Sequence, residues 1–187
     1  MFRDTTFNDV SGAETCADLV MDEETFRAFY ERTARGVWAY LVRVTGDRQM
    51  ADDLLQEAYY RFLRAAATHE SEEHRRNSLY RIATNLARDA RRRSLTRVLA
   101  SLTRRDIERV ASADHTVSTE RSADFTRAMS QLKPRERAML WLAYAEGATH
   151  REIAQVLGLH PASLKPMLFR ARRKLAELLG RRPEGAR

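Results

Sequence analysis

Three groups of side chains have types and spacings suited to chemistry, and in each the chemistry is recognition. Lys165, Arg170, Arg172, Arg173 and Lys174 crowd one stretch near the C-terminus, where ammonium and guanidinium groups on a helix neutralise phosphates and donate to base edges. Arg75, Arg76, Arg81, Arg88, Arg91, Arg92 and Arg93 form a second basic group, with Tyr80 and Asn85 among them. Arginine, an amide and an aromatic ring together suit phosphate contacts, base-edge contacts and base stacking. Asp52, Asp53, Gln56 and Glu57 make a third, acidic group, which on the residues alone reads as an ordinary solvated helix face. No catalytic or metal centre can be assembled. His69, His74, His115, His150 and His160 lie in different segments without Cys/His ligand spacing, and there is neither a glycine-rich phosphate loop nor a nucleophile with a nearby base. The chain is therefore read as a non-enzyme that needs no cofactor and no metal.

Helices must position all three groups. Thr149, three residues before Glu152, is a capping box that starts a helix over His150 to Leu157. Gly158 supplies the left-handed backbone of a sharp reversal and Leu159 plugs the angle of a helix-turn-helix. Leu164, Leu168, Ala171, Leu175 and Leu178 give the second helix one buried stripe, leaving its cations on the opposite face. Phe125, Met129 and Leu132 begin this C-terminal unit, a helix from Pro134 through Ala138, Met139, Trp141 and Leu142 to Gly147 backs it, and Gly180 closes it.

Upstream, Phe26, Phe29, Tyr30, Val37, Tyr40, Leu41 and Val44 recur at helical spacing, with Gly46 as the stop. Asp47 opens a second helix that buries Ala51, Leu54, Leu55, Ala58, Phe62 and Leu63 and runs to about Ala67. Thr68 to His74 has no apolar residue and reads as a loop. A third helix, from about Arg75 to Arg93, buries Leu79, Ile82, Ala83, Leu86 and Ala90. Leu95, Val98, Leu99, Leu102, Ile107 and Val110 suggest a further amphipathic stretch, and Ser112 to Asp124 reads as a polar linker between domains.

With 187 residues, 43% of them hydrophobic, the chain can bury one or two small cores. Few Gly and Pro and no strand-type alternation make the fold class all-α. The expected organisation is a flexible tail over 1–21, a helical domain over 22–94, an amphipathic stretch and linker over 95–124, a helix-turn-helix domain over 125–180 and a basic tail over 181–187. The net charge of +7 is unevenly spread: residues 75–109 carry eleven arginines against three acids, whereas residues 22–74 carry seven against eleven. Such a layout suggests a polyanion touched at two places and a different partner for the acidic part. Cys16 is the only cysteine and no signal peptide or membrane-length apolar run is present, so a reducing, cytoplasmic location without membrane insertion is expected.

Two stretches carry a family resemblance. DRQMADDLLQEAYYRFLRA followed by SLYRIATNLARDARRR resembles the promoter-melting domain of bacterial sigma factors, and LKPRERAMLWLAYAEGATHREIAQVLGLHPASLKPMLFRARRKLAELL resembles their C-terminal promoter-binding domain. Together they cover about half of the chain, and the absence of a large domain between them resembles the extracytoplasmic-function (ECF) class. The second stretch alone is also similar to helix-turn-helix regulators of the response-regulator type. The DDLLQEAYYRF run at the right distance upstream favours the sigma factors.

The resemblance implies that Asp52, Asp53, Gln56, Glu57, Arg61 and Phe62 dock on core RNA polymerase. It implies that Arg75, Arg76, Asn77, Tyr80, Arg81, Asn85, Arg88 and Arg92 serve the minus-ten element of promoter DNA. Arg151, Ser163, Lys165, Met167, Arg170, Arg173 and Lys174 would serve the minus-thirty-five element, and an anti-sigma factor is an implied further partner. Three positions depart from the family pattern. Ser78 stands where an aromatic is usual, the 68–74 loop is acidic, and Ser163-Leu164-Lys165-Pro166-Met167 replaces the usual Thr-Val-Lys-Ser-Arg. Because proline inside a helix costs about 3 kcal/mol, the recognition helix is predicted to start late, at Ser163 or Leu164, and Met167 to remove one cationic contact.

Overall fold

Local signals fix most helix ends in the computed structural model, which describes residues 21–65, 71–101 and 120–180. The expected N-terminal tail with Cys16, residues 66–70, the stretch 102–119 and the basic tail lie outside the described residues. Helix α1 (Glu23–Thr45) begins where the Asp22 carboxylate accepts from the Thr25 amide at 2.8 Å, and it ends at Gly46, whose φ of 81° only glycine adopts without strain. Helix α2 (Arg48–Arg64) is capped in the same way by Asp47, which accepts from the Met50 amide at 3.0 Å.

Helix α3 (Glu72–Ser101) starts three residues earlier than the periodicity predicts and runs past Arg93. The Ser71 hydroxyl accepts from the His74 amide at 3.2 Å, and Glu72 and Glu73 sit in the first turn, where carboxylates favour the positive end of the helix dipole. The acidic segment thus supplies a helix start in its second half. Residues 95–101, expected to form a separate stretch, continue the same helix, with Leu95 exposed.

Helix α4 (Glu120–Ser130) takes in the last five residues of the expected linker. Helices α5 (Pro134–Tyr144), α6 (His150–Leu157) and α7 (Pro161–Gly180) complete the chain. The start of α7 corrects the expectation of a late one: Pro161 occupies the first helical position, where its fixed φ favours the helix and its missing N–H is of no consequence, and the Ser163 amide donates to the His160 carbonyl at 3.0 Å. Pro166 lies inside α7, where it forgoes the bond to the Ala162 carbonyl and its ring crowds that carbonyl, a cost that the rest of α7 outweighs.

Helices α1 to α3 enclose an aromatic core in which Phe29 stacks on Phe62 at 5.1 Å and Tyr40 meets Tyr80 edge to face at 5.3 Å. Its buried hydroxyls are paired: Thr33 and Thr84 each donate to the carbonyl four residues back, leaving each threonine oxygen to accept from Tyr59 at 2.7 Å and from Tyr40 at 2.6 Å. The C-terminal helices close over Met139, Leu142, Ile153 and Leu164. These cores are continuous, because α3 packs on α6 and α1 on α5, so that Leu86 and Leu157 belong to one apolar cluster.

Candidate nucleic-acid interface

The helix-turn-helix is built by its own residues. Thr149 and Glu152 exchange hydrogen bonds, the Thr149 amide donating to Glu152 at 2.7 Å and the Glu152 amide to the Thr149 hydroxyl at 3.3 Å. Gly158, at φ 63°, turns the chain into α7. On α7, Leu164, Leu168 and Ala171 are buried, while Ser163 and Arg170 are exposed on one flank of that stripe and Lys165 on the other, with Arg151 exposed on α6. Arg173 is also exposed and lies 3.5 Å from Glu177, an ion pair one turn along the same helix. Two residues of the predicted set sit elsewhere. Met167 is half-buried against the core, one turn from Leu164 and Ala171, and Lys174 is half-buried and donates to Glu136 at 3.1 Å. The position of Met167 belongs to the apolar flank of α7 and not to its cationic face.

On α3, Arg81, Asn85, Arg88 and Arg92 are exposed, and spacings of four, three and four put them on one stripe. Arg92 carries an ion pair to Asp89 at 3.1 Å, with its own side chain 80% exposed, so the guanidinium is held in solvent at little energetic gain. Arg75 and Arg76 are half-buried, and the Arg75 Nε is buried without a hydrogen-bond partner among the described residues. Tyr80 corrects the sequence reading. Only 2% of it is exposed, so it cannot stack on a base in this arrangement. Burial first, and then the Glu146 carboxylate to which its hydroxyl is hydrogen-bonded, push its pKa far up. The periodic pattern predicted a single buried stripe on α3; the helix is in fact covered on two sides, by α1 and α2 and again by α6, so the buried face widens to take in Tyr80, Thr84 and Ala87.

The second cover places minus-ten candidates against the helix-turn-helix. The Asn77 amide donates to Glu152 at 2.8 Å, and an Arg88 Nη lies 3.4 Å from the Leu157 carbonyl. Burial opposes ionisation of Glu152, but hydrogen bonds from Asn77 and Thr149 outweigh it and hold its carboxyl well below the usual range. Sequence reasoning also missed Gly36, in the middle of α1. A Cβ there would lie 3.1 Å from the Tyr80 hydroxyl and 3.2 Å from Glu146. An isolated glycine within a helical pattern was the available signal for such an approach.

The acidic group lies on α2. Asp52, Asp53 and Gln56 are exposed side by side, and Arg61 pairs with Glu57 at 2.6 Å. The Trp38 indole donates to Asp52 at 2.6 Å, which fixes that end of the face to α1. Phe62 is only 3% exposed and points into the aromatic core, so it supports the face from within and offers no surface of its own.

The sequence pattern described as Sigma-70 region 2 matches residues 29–97, and that described as Sigma-70, region 4 matches residues 122–175. The chain is 32% identical over 161 residues to the RNA polymerase sigma factor CarQ of Myxococcus xanthus, covering 84% of this chain and 91% of that protein. It is 28% identical over 172 residues to the ECF RNA polymerase sigma factor SigM of Bacillus subtilis, covering 84% and 96% of the two chains. In fold it resembles the sigma factor RpoE of Bartonella quintana, solved in complex with the anti-sigma factor NepR, with a TM-score of 0.70 at 22% identity over 83% of this chain and 96% of that one.

The chain belongs to the RNA polymerase sigma factors, within their ECF class. It therefore binds core RNA polymerase and promoter DNA and directs transcription initiation. The region 2 match over α1 to α3 disfavours the response-regulator alternative, which has no counterpart for that half. Among the described residues no helix is long and apolar enough to cross a membrane.

Proposed function

We propose that the α2 face of Asp52, Asp53, Gln56 and Glu57, with Arg61, is the surface that docks on core polymerase, while α3 and α7 hold the two promoter elements. One observation carries this division: α2 turns its carboxylates and amide to solvent while its other side is buried against Phe29. An acidic exposed face on a DNA-binding chain repels phosphate and suits a protein partner. On α3 the stripe Arg81, Asn85, Arg88 and Arg92 serves the minus-ten element. On α7, Ser163, Lys165, Arg170 and Arg173, with Arg151 on α6, serve the minus-thirty-five element. The functional units are residues 22–94 and 125–180. The chain supplies binding energy to a strand-separated promoter, offsetting a few kcal/mol for each unstacked base. Polymerisation is left to the core enzyme, in the cytoplasm. The Bartonella quintana complex supports an anti-sigma protein as a further partner.

The decisive measurement is association with purified core polymerase. Alanine at Asp53, Gln56 and Glu57 together is expected to weaken it by about tenfold or more with helicity and Tm retained. Unchanged association in a folded triple variant would overturn the assignment of α2. For DNA, engagement of about six phosphates predicts a log-log salt slope near −5.

A further inference from the structure

A cavity of about 750 Å³ opens between α3 and the turn that joins α4 to α5. Arg88 and Arg91 line it from α3, and Lys133, Arg135 and Arg137 from the start of α5; among the described residues no Asp or Glu lines it. The neighbouring acids are committed elsewhere, Asp89 to Arg92 at 3.1 Å and Glu136 to Lys174 at 3.1 Å. Among the described residues Arg88, Arg91, Arg135 and Arg137 make no ion pair with a carboxylate. The Nε of Arg137 is buried and has no hydrogen-bond partner among the described residues. Burial, and after it the Arg91 cation, lower the pKa of the Arg137 guanidinium.

Like charges gathered around a partly enclosed space, with a buried N–H unanswered, are costly unless an anion completes them. The volume lies in the range of small-molecule sites and is far too small for a duplex. Guanidinium forks from two directions suit phosphate oxygens held in bidentate fashion. We propose that this cavity binds a small oligophosphate, of the size of a nucleoside di- or triphosphate, bridging Arg88 and Arg91 on α3 to Arg135 and Arg137 on α5. Because α3 and α5 come from different halves of the chain, such a ligand ties the halves together. The binding itself stands independently of the assignment of the polymerase face.

The test is calorimetric titration of the full chain with sodium tripolyphosphate at fixed ionic strength, alongside Arg91→Gln, Arg137→Gln and, as a control on the outer face of α7, Lys165→Gln. One-to-one binding is expected, weakened about tenfold or more by each cavity substitution and unchanged by the control. Should Arg137→Gln lose helicity, the exposed Arg91 decides alone. Absence of saturable binding, or equal weakening in Lys165→Gln, would mean diffuse polyelectrolyte attraction and overturn the site. A short DNA duplex supplies the second arm. If duplex binding depends on Arg91 and Arg137 while tripolyphosphate binding does not, the cavity cations belong to the promoter surface and the proposal fails.

Discussion

Helices α3 and α7 are both long and basic, but they hold their cations under different constraints. On α7 the shaping contacts are near in sequence: Thr149 caps α6, Gly158 turns the chain, and Lys165 and Arg170 face solvent on either flank of the buried Leu164 and Leu168. On α3 they come from far along the chain. Asn77 is engaged by Glu152, Tyr80 by Glu146 and Arg88 by the Leu157 carbonyl. A helix-turn-helix thus presents its outer face as a consequence of folding, whereas the exposed stripe of α3 depends on where the other half of the molecule sits.

The largest test of this contrast is the shared core. Leu79 on α3 and Leu164 on α7 are both fully buried, so alanine at either should cost about 2–5 kcal/mol in urea unfolding, each shifting the same single transition. Two separate transitions would show that the halves fold independently. Next comes Pro166→Ala, which restores a backbone donor and should stabilise the protein by up to about 3 kcal/mol. No gain in denaturation experiments would mean that the first turns of α7 are not helical in solution.

A smaller effect concerns Glu152, which faces Asn77, Thr149 and Glu73. Its folded pKa is depressed, so its contribution to stability is complete above the ordinary value of 4.5 and is lost as pH falls below it. Glu152→Gln should flatten the acid limb of the stability profile. Asn77→Ala should cost about 1–3 kcal/mol by leaving a buried carboxylate oxygen unanswered, with faster amide exchange at the start of α6. An unaltered acid limb in both variants would remove Asn77 from the seam. The smallest effect separates two lysines on α7. Lys165→Ala should reduce the salt slope of duplex binding by about 0.9, whereas Lys174→Ala, which breaks the bond to Glu136, should leave the slope alone.

Features that depend on neighbours in sequence were legible. Gly46 ends α1, Asp47 starts α2, and Thr149 and Gly158 bound α6, as their residue types predict. The all-helical class, the acidic face of α2 and the outward cations of α7 followed from periodicity. Long-range packing was not legible. One helical period cannot reveal that α3 is covered twice, so the pattern leaves Tyr80 on a DNA-facing side where the structure buries it in the core. Phe62 and Met167 carried family roles at positions whose spacing also fits an inward face, and burial decides for the core. Pro166 by itself predicts a late start for α7, whereas Pro161 at the first helical position favours the earlier one. The pairing of Asn77 with Glu152 joins residues 75 positions apart, beyond any local pattern.

The junction of Gly36, Tyr80 and Glu146 joins the N-terminal helices to the loop after α5. Any partner that requires the two ends of the molecule to part meets only the fraction of chains already parted, and its apparent affinity falls by that fraction: about a hundredfold if one chain in a hundred is competent. A bulkier residue at position 36 would crowd the Tyr80 hydroxyl and Glu146 and so shift that balance toward the parted form.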